Sequence, residues 1–383
     1  MGSRISRTAL PILAILTVRA TPAQVAVLAV LSFAPGIVLG LFVGAYVDRS
    51  AKRPLLIGAD VARALLLCIV PAAAWSGGLA MPLLYGVAAA VGACSTLFSV
   101  ADASFLALLI GPGKLVEGNA KLEATEAVAE AAGPGLAGIL IQLLTAPVAL
   151  LLDVASYLIS AVLLSRIRGP EPPATAQAPT AVGPAIRRGI SVCLAHPAIR
   201  LLLLAQAGTC FFGGFFLSLY LIYLLKTLAL SAATTGVLIG LGGLGAFLGA
   251  LAAKPLGTAL GQGQALAVAA IMGQAANLFI PLVARAGGLA IPLLGLQQLS
   301  GDALLGAFMI YAVSLRQREL PQNSLGSANA TFLVVTSGAL CAGGLLAGPL
   351  VEVIGLTNVL WVGAIGGLLS TVRLLASPVR QLD

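Results

Sequence analysis

Charge is what this sequence has least of. Asp, Glu, Lys and Arg make up 9% of its 383 residues, where a soluble domain carries about 25%. That excludes a chain folded in water behind an ordinary charged surface. Histidine occurs once, as His196, and the five cysteines (Cys68, Cys94, Cys193, Cys210, Cys341) stand far apart, mostly inside apolar runs. No C-x-x-C spacing occurs and no zinc site can be assembled from neighbours, so the thiols read as small buried hydrophobes. The sequence has neither a G-x-x-x-x-G-K-S/T nucleotide loop nor a G-x-S-x-G nucleophile motif. No catalytic residue, cofactor or metal is therefore expected, and no enzyme. Aromatics are sparse at 5% while glycine reaches 45 residues, which suits helices packed through small residues better than a barrel.

What is present is apolar: 59% of the chain is hydrophobic. The expected class is an all-α integral membrane protein. A net charge of +8 does not point to nucleic acid, because the bases sit in short loops beside apolar runs. There they orient the chain and meet anionic lipid. Residues 1–18 have a basic start and an apolar body, but no convincing cleavage site follows and many more spans come after.

The most informative stretch is Gly44-Ala-Tyr-Val-Asp48-Arg49-Ser-Ala-Lys52-Arg53-Pro54. It separates two apolar runs, 25–43 and 55–74, each about the 20 residues needed to cross a bilayer. One acid and three bases in so short a turn place it on the cytoplasmic side. Further spans are expected at 80–103, from near 122, and at 147–164, 199–225, 234–253, 264–283, 289–315, 328–351 and 356–375. The first apolar stretch, 5–18, is short for a span and carries Arg7, so the first helix reads as truncated. The true start is then expected upstream of Met1. With both termini inside, about 17 of the 21 Lys and Arg fall on the cytoplasmic side.

Residues 169–197 break the apolar pattern with Gly-Pro-Glu-Pro-Pro and Arg187-Arg188, marking a polar cytoplasmic linker. It divides the chain into an N-terminal bundle (1–168) and a C-terminal bundle (198–383) of six spans each. The halves echo each other. Asn119-Ala120 lies fourteen residues before Gly133, and Asn329-Ala330 fourteen before Gly343. Gly249-Ala250 matches Gly44-Ala45, but Ala253 and Lys254 stand where the first copy has Asp48 and Arg49. Parallel repeats across a linker are a transporter architecture.

The pattern G-x-x-x-D-R-x-x-K-R resembles the signature between helices 2 and 3 of the major facilitator superfamily. The branch it resembles includes macrolide and enterobactin exporters. Supporting stretches are Asp60-Val-Ala-Arg63-Ala-Leu-Leu, Gly133-Pro-Gly-Leu-Ala-Gly138, Asp153-Val-Ala-Ser-Tyr, His196-Pro-Ala-Ile-Arg200, Gly301-Asp302 and Ser314-Leu-Arg-Gln317. At Gly326-Ser327 the chain departs from the Gly-Arg usual in relatives. The resemblance implies two six-helix bundles related by a pseudo-two-fold axis, working as a monomer in the cell membrane. It also implies that Gly44, Asp48, Arg49, Lys52 and Arg53 form a gating clamp. There the acid meets the positive N-terminal end of the eleventh helix, near Ala328. Gly133, Pro134 and Gly138 resemble the helix-bending motif of antiporters.

Acids inside spans are functional candidates by default. Asp60 and Arg63, three apart, can pair as a structural ion pair. Glu123, Glu126 and Glu130 share a stripe about 60° wide, and Glu130 lies about 16 Å into its helix at 1.5 Å per residue. Burial disfavours the charged form of a carboxylate, so Glu130 and Asp302 compete for a proton-coupling role, with Glu126 and Asp153 as further candidates. Asp153 can instead bond Ser156 or Ser160. Phe211, Phe212, Phe215 and Tyr311 are candidate cavity residues, though such rings more often pack.

The expected activity is proton-driven efflux of a hydrophobic or amphipathic small molecule by alternating access. The alternatives are a metabolite or lysolipid importer or flippase of the same fold, and a non-transporting sensor. The partners implied are the small-molecule substrate, protons and the lipid bilayer.

Overall fold

The computed structural model describes residues 2–48, 50–110, 115–167, 182–320 and 322–374. Within these, side chains are described for 6–35, 47, 50–102, 105, 125, 128–129, 132–167, 189–320 and 327–374. Among the described residues every regular element is a helix. The chain divides into two compact units, Met1–Thr180 with Ser231–Val237, and Ala181–Leu230 with Leu238–Asp383.

The first unit contains α1 (Gly2–Leu16), α2 (Pro22–Asp48), α3 (Lys52–Trp75), α4 (Met81–Ile110), α5 (Leu115–Leu144) and α6 (Ala146–Arg166). Here α3 packs on α4 and α6, α2 on α4, and α1 on α5 and α6. In the second unit come α7 (Val182–Ala195), α8 (Pro197–Ile222), α9 (Ala232–Leu260, whose first residues to Val237 belong to the first unit), α10 (Gln262–Ala276), α11 (Phe279–Leu282), α12 (Ala290–Glu319), α13 (Gln322–Ile354) and α14 (Leu356–Val372). The α13 helix packs on α8 and α7, α12 on α10, and α14 on α8 and α10. Eight described helices are long and apolar enough to cross a membrane, and Ser6–Leu16, Pro22–Pro35, Ala132–Leu144 and Leu356–Val372 are shorter apolar segments. Large exposed apolar side chains such as Leu65, Trp75, Leu143 and Val353 are what a lipid-facing surface requires.

The helices approach closely where the sequence has glycine. A Cβ on Gly343 of α13 would run into the backbone of Phe211 on α8, and one on Gly214 would meet Leu340 and Gly344. Without a hydrophobic drive between helices in lipid, such small-residue contacts supply the packing.

Three departures from the sequence expectation have local causes. Residues 182–195, expected as linker, form α7. Proline is tolerated in a first helical turn, and beyond Pro184 the apolar Ile186, Gly189, Val192 and Cys193 recur at helical spacing. Gly189 lies against Ser327 and Thr331, and Cys193 is fully buried. The ninth span, expected unbroken over 264–283, stops at Ala276. Pro281 lacks the N–H that would bond the carbonyl of Asn277, and the chain continues through α11 and 3-10 turns. Finally, α13 begins at Gln322, so its positive N-terminal end lies six residues upstream of the expected Ala328, which is buried inside the helix.

Single residues join α5 to α6, α9 to α10 and α13 to α14. They are Thr145 (φ 85°, ψ 155°), Gly261 (φ 81°, ψ 145°) and Gly355 (φ 83°, ψ 155°). This backbone region is essentially glycine's, and a side chain held in it costs about 1–3 kcal/mol. Thr145 carries that strain where its counterparts do not. Thr145→Gly is therefore expected to raise stability by about 1 kcal/mol, after about 0.5–1 kcal/mol of glycine's own entropic penalty. Thermal unfolding of the purified protein in detergent reads this directly; an unchanged or lower midpoint would show that no strain resides at the joint.

Candidate functional site

In the first unit four helices assemble a buried acid–base cluster. Asp60 and Arg63 lie one turn apart on α3, with side chains only 1% and 6% exposed. Arg63 Nη2 donates to Asp60 Oδ1. The guanidinium carbon also lies 4.3 Å from the centre of the Phe98 ring on α4 and 4.4 Å from that of Tyr157 on α6. A cation held between two ring faces gains electrostatic attraction that grows as water is excluded. Ser160 stands beside Asp60. Asp153, fully buried on α6, accepts hydrogen bonds from Ser6 on α1 and from Ser156 at 3.1 Å. Two hydroxyls thus satisfy this carboxylate and tie α1 to α6.

The charged turn makes a second set of contacts in this unit. Lys52 Nζ donates to the carbonyls of Val47 at 2.5 Å and Ser50 at 2.9 Å. Arg53 Nε donates to the Leu164 carbonyl at 2.9 Å, and its Nη2 to that of Ser165. Both bases therefore cap the carbonyl ends of helices, α2 and α6, where the dipole is negative. Gly44 and Asp48 fall on the last turns of α2, but their surroundings lie outside the described residues, as does Arg49 altogether. Glu126 and Glu130 are on α5 with side chains outside the described residues. Further along α5, Pro134 and Gly138 meet the segment 231–237 of the same unit. A Cβ on Gly138 would collide with the Ala232 carbonyl, and Gly236 has Pro134's carbonyl against it. Gly133 is buried on the same helix.

The second unit holds Asp302 on α12. A Cβ on Gly242 of α9 would run into Asp302 Oδ2 and come within 3.0 Å of Gln298 Nε2. Glycine at 242 is what gives this carboxylate its place between α9 and α12. Among the described residues Asp302 has no cationic partner. Tyr220 of α8 is within its electrostatic reach, with a buried hydroxyl that has no hydrogen-bond partner among the described residues. Nearby in the sequence, an amide chain links Gln297 to Asn277 at 3.1 Å and Asn277 to Gln274 at 3.3 Å, closing the break after α10.

The same unit has a cavity of ≈ 330 Å³ between α8, α12 and α13, lined by Gln206, Cys210, Met309, Arg316, Asn329 and Phe332 among others. The Arg316 guanidinium carbon lies 4.2 Å from the Phe332 ring centre. Sequence reasoning gave Arg316 no role of its own, placing it among the orienting bases and in the resemblance stretch Ser314-Leu-Arg-Gln317. No local pattern marks it, because it directly follows the apolar run 289–315 as an ordinary orienting base does. Of the aromatic candidates, Phe211, Phe212 and Phe215 form a cluster with centroids 5.1–5.8 Å apart. Tyr311 is buried and donates to the Ala253 carbonyl. These rings pack.

A membrane bundle of this design, with buried acids and no catalytic constellation among the described residues, matches solved transporters. A nucleoside transporter, NupG, aligns over 98% of this chain and 95% of its own with a TM-score of 0.76 at 12% identity. A bacterial homologue of the iron transporter ferroportin, inward-facing, aligns over 98% and 96% with a TM-score of 0.71 at 18% identity. A bacterial homologue of the lysosomal transporter Spinster aligns over 98% and 91% with a TM-score of 0.64 at 16% identity. At these identities the likeness is one of fold: the protein is an all-helical, multi-pass membrane protein with the major facilitator fold. More narrowly, residues 4–383 match the transmembrane secretion effector profile, and the chain belongs to that family within the major facilitator superfamily. It is a transporter-family protein, not an enzyme. No curated protein matches it.

Proposed function

We propose that the protein is a proton-driven exporter of amphipathic small molecules, acting as a monomer in the cell membrane with both termini in the cytoplasm. The observation that carries this reading is Asp302. It is an acid within the α12 span with no cation beside it among the described residues. The other described buried acids are already engaged, Asp60 by Arg63 and Asp153 by two serines. A carboxylate so placed can be neutralised by a proton on one side and release it on the other. Membership of a secretion family favours the outward direction. Glu130 and Glu126 remain candidates for the same role. The turn of Gly44, Asp48, Arg49, Lys52 and Arg53 serves as the gate. Gly133, Pro134 and Gly138 let α5 adjust as the gate works.

The test is accumulation of a panel of amphipathic dyes and drugs in cells with and without the protein. Expressing cells should accumulate less, and a protonophore should abolish the difference. Equal accumulation across the panel, with the protein shown to be in the membrane, would overturn the export reading.

A further inference from the structure

Arg63 and Arg316 are both stacked on aromatic rings along apolar helices, and of these two only Arg63 has a carboxylate among the described residues. Arg63 lies between Phe98 and Tyr157 and holds Asp60. Arg316 lies over Phe332 with its Nε buried and without a hydrogen-bond partner among the described residues. The acid nearest in sequence, Glu319, is engaged elsewhere, by Arg318 at 3.2 Å and His196 at 3.6 Å. A cation within a membrane helix is expensive unless it is paired or faces a cavity. Arg316 lines one.

We propose that Arg316 receives the anionic head group, a carboxylate or phosphate, of the transported amphiphile. This rests on the export reading above and narrows its cargo to acidic amphiphiles. Stacking occupies the face of the guanidinium and leaves its edge, where parallel N–H groups match two oxygens of a carboxylate or phosphate. The rest of the lining suits the same molecule. Asn329 brings an amide to the cavity. Gln206 spends an amide N–H on the Met309 sulfur at 3.3 Å, a weak acceptor that a cargo oxygen would displace. Met309, Val313, Phe332 and Leu333 then offer the apolar part of the cavity. Its ≈ 330 Å³ lies at the small end of ligand sites, about 300–1,000 Å³, so it takes a head group with a short apolar segment. Glutamine and asparagine alone would serve a neutral cargo equally well. The unpaired guanidinium is what selects charge.

The experiment measures binding of radiolabelled decanoate, decyl phosphate and decyltrimethylammonium to the full chain in lipid nanodiscs, with empty nanodiscs subtracted. Both anions should bind more tightly than the cation. Arg316→Gln should weaken anion binding by at least about tenfold, the size expected for losing a charge-assisted pair, and leave the cation unaffected. Arg316→Lys should retain part of the affinity. Whichever anion binds better identifies the head group, and either order supports the inference. Equal binding of the cation, or unchanged anion binding in Arg316→Gln, would overturn it. The wild-type comparison stands even if neither variant folds. The two readings also fail separately: export without anion preference removes only the cargo class, whereas anion binding without protonophore-sensitive export removes the transport reading.

Discussion

Replacing Arg63 by leucine is expected to cost about 3–5 kcal/mol of stability, the usual consequence of removing one partner from a buried ion pair. Asp60 would be left 1% exposed without the guanidinium that now neutralises it. Phe98 and Tyr157 would lose the cation between them, and α4 and α6 would lose a shared contact with α3. The decisive comparison is the double variant Asp60→Asn with Arg63→Leu. With the stranded charge removed, much of the lost stability should return, leaving the deficit from the two ring contacts, each about 0.5–2 kcal/mol. Thermal unfolding in detergent, followed by size-exclusion of the fluorescently tagged protein, measures all three forms. A double variant no more stable than Arg63→Leu would mean that the guanidinium acts through packing and not through Asp60.

Asp302→Asn is expected to reduce protonophore-sensitive export to the background of cells lacking the protein, while the purified variant unfolds at nearly the wild-type temperature. The amide keeps the size of the carboxylate, which matters because Gly242 leaves no spare room across the α9–α12 contact. It removes only the ability to bind and release a proton. Counterflow, in which labelled substrate exchanges across proteoliposomes without any gradient, should survive. The pairing of lost coupling with retained exchange separates a coupling residue from one that holds substrate. Export that still follows an imposed pH gradient in the variant would move the coupling role to Glu130 or Glu126 on α5.

Much of the architecture was legible because membrane helices write their length into the sequence. The runs between 25 and 103 and between 199 and 253 needed only counting against bilayer thickness. Asp60 and Arg63 could be paired from their spacing, since three residues bring two side chains onto one face. Their ring partners could not, because Phe98 and Tyr157 come from helices whose rotation no local pattern reveals. The same holds for Ser6 on Asp153, a contact 147 residues apart in the chain. Lys52 and Arg53 read as orienting charges and, by resemblance, as part of a gating clamp, while their donation to the carbonyl ends of α2 and α6 depends on where those helices stop. The α7 helix was hidden by the prolines and polar residues preceding it. Arg316 acquired meaning only when α8, α12 and α13 enclosed a space around it.

The one-residue joints carry a consequence for how the protein is made. Thr145 alone separates α5 from α6, and the uncharged part of α5 is the stretch 131–144, short of the about 20 residues that cross a bilayer. Its earlier turns contain Lys121, Glu123, Glu126 and Glu130, charges that oppose partitioning from the translocon into lipid. The α6 helix is an apolar span in its own right. With no loop between them, the ribosome cannot leave α5 behind while α6 crosses, so the pair enters lipid as a helical hairpin. A nascent chain stopped at Thr145 is therefore expected to hold α5 outside the bilayer, and extension through Arg166 to draw it in. Across Gly355 the roles are reversed: α13 is the long apolar span, and the short α14 follows it without a loop. In each case the last two crossings are a single insertion event.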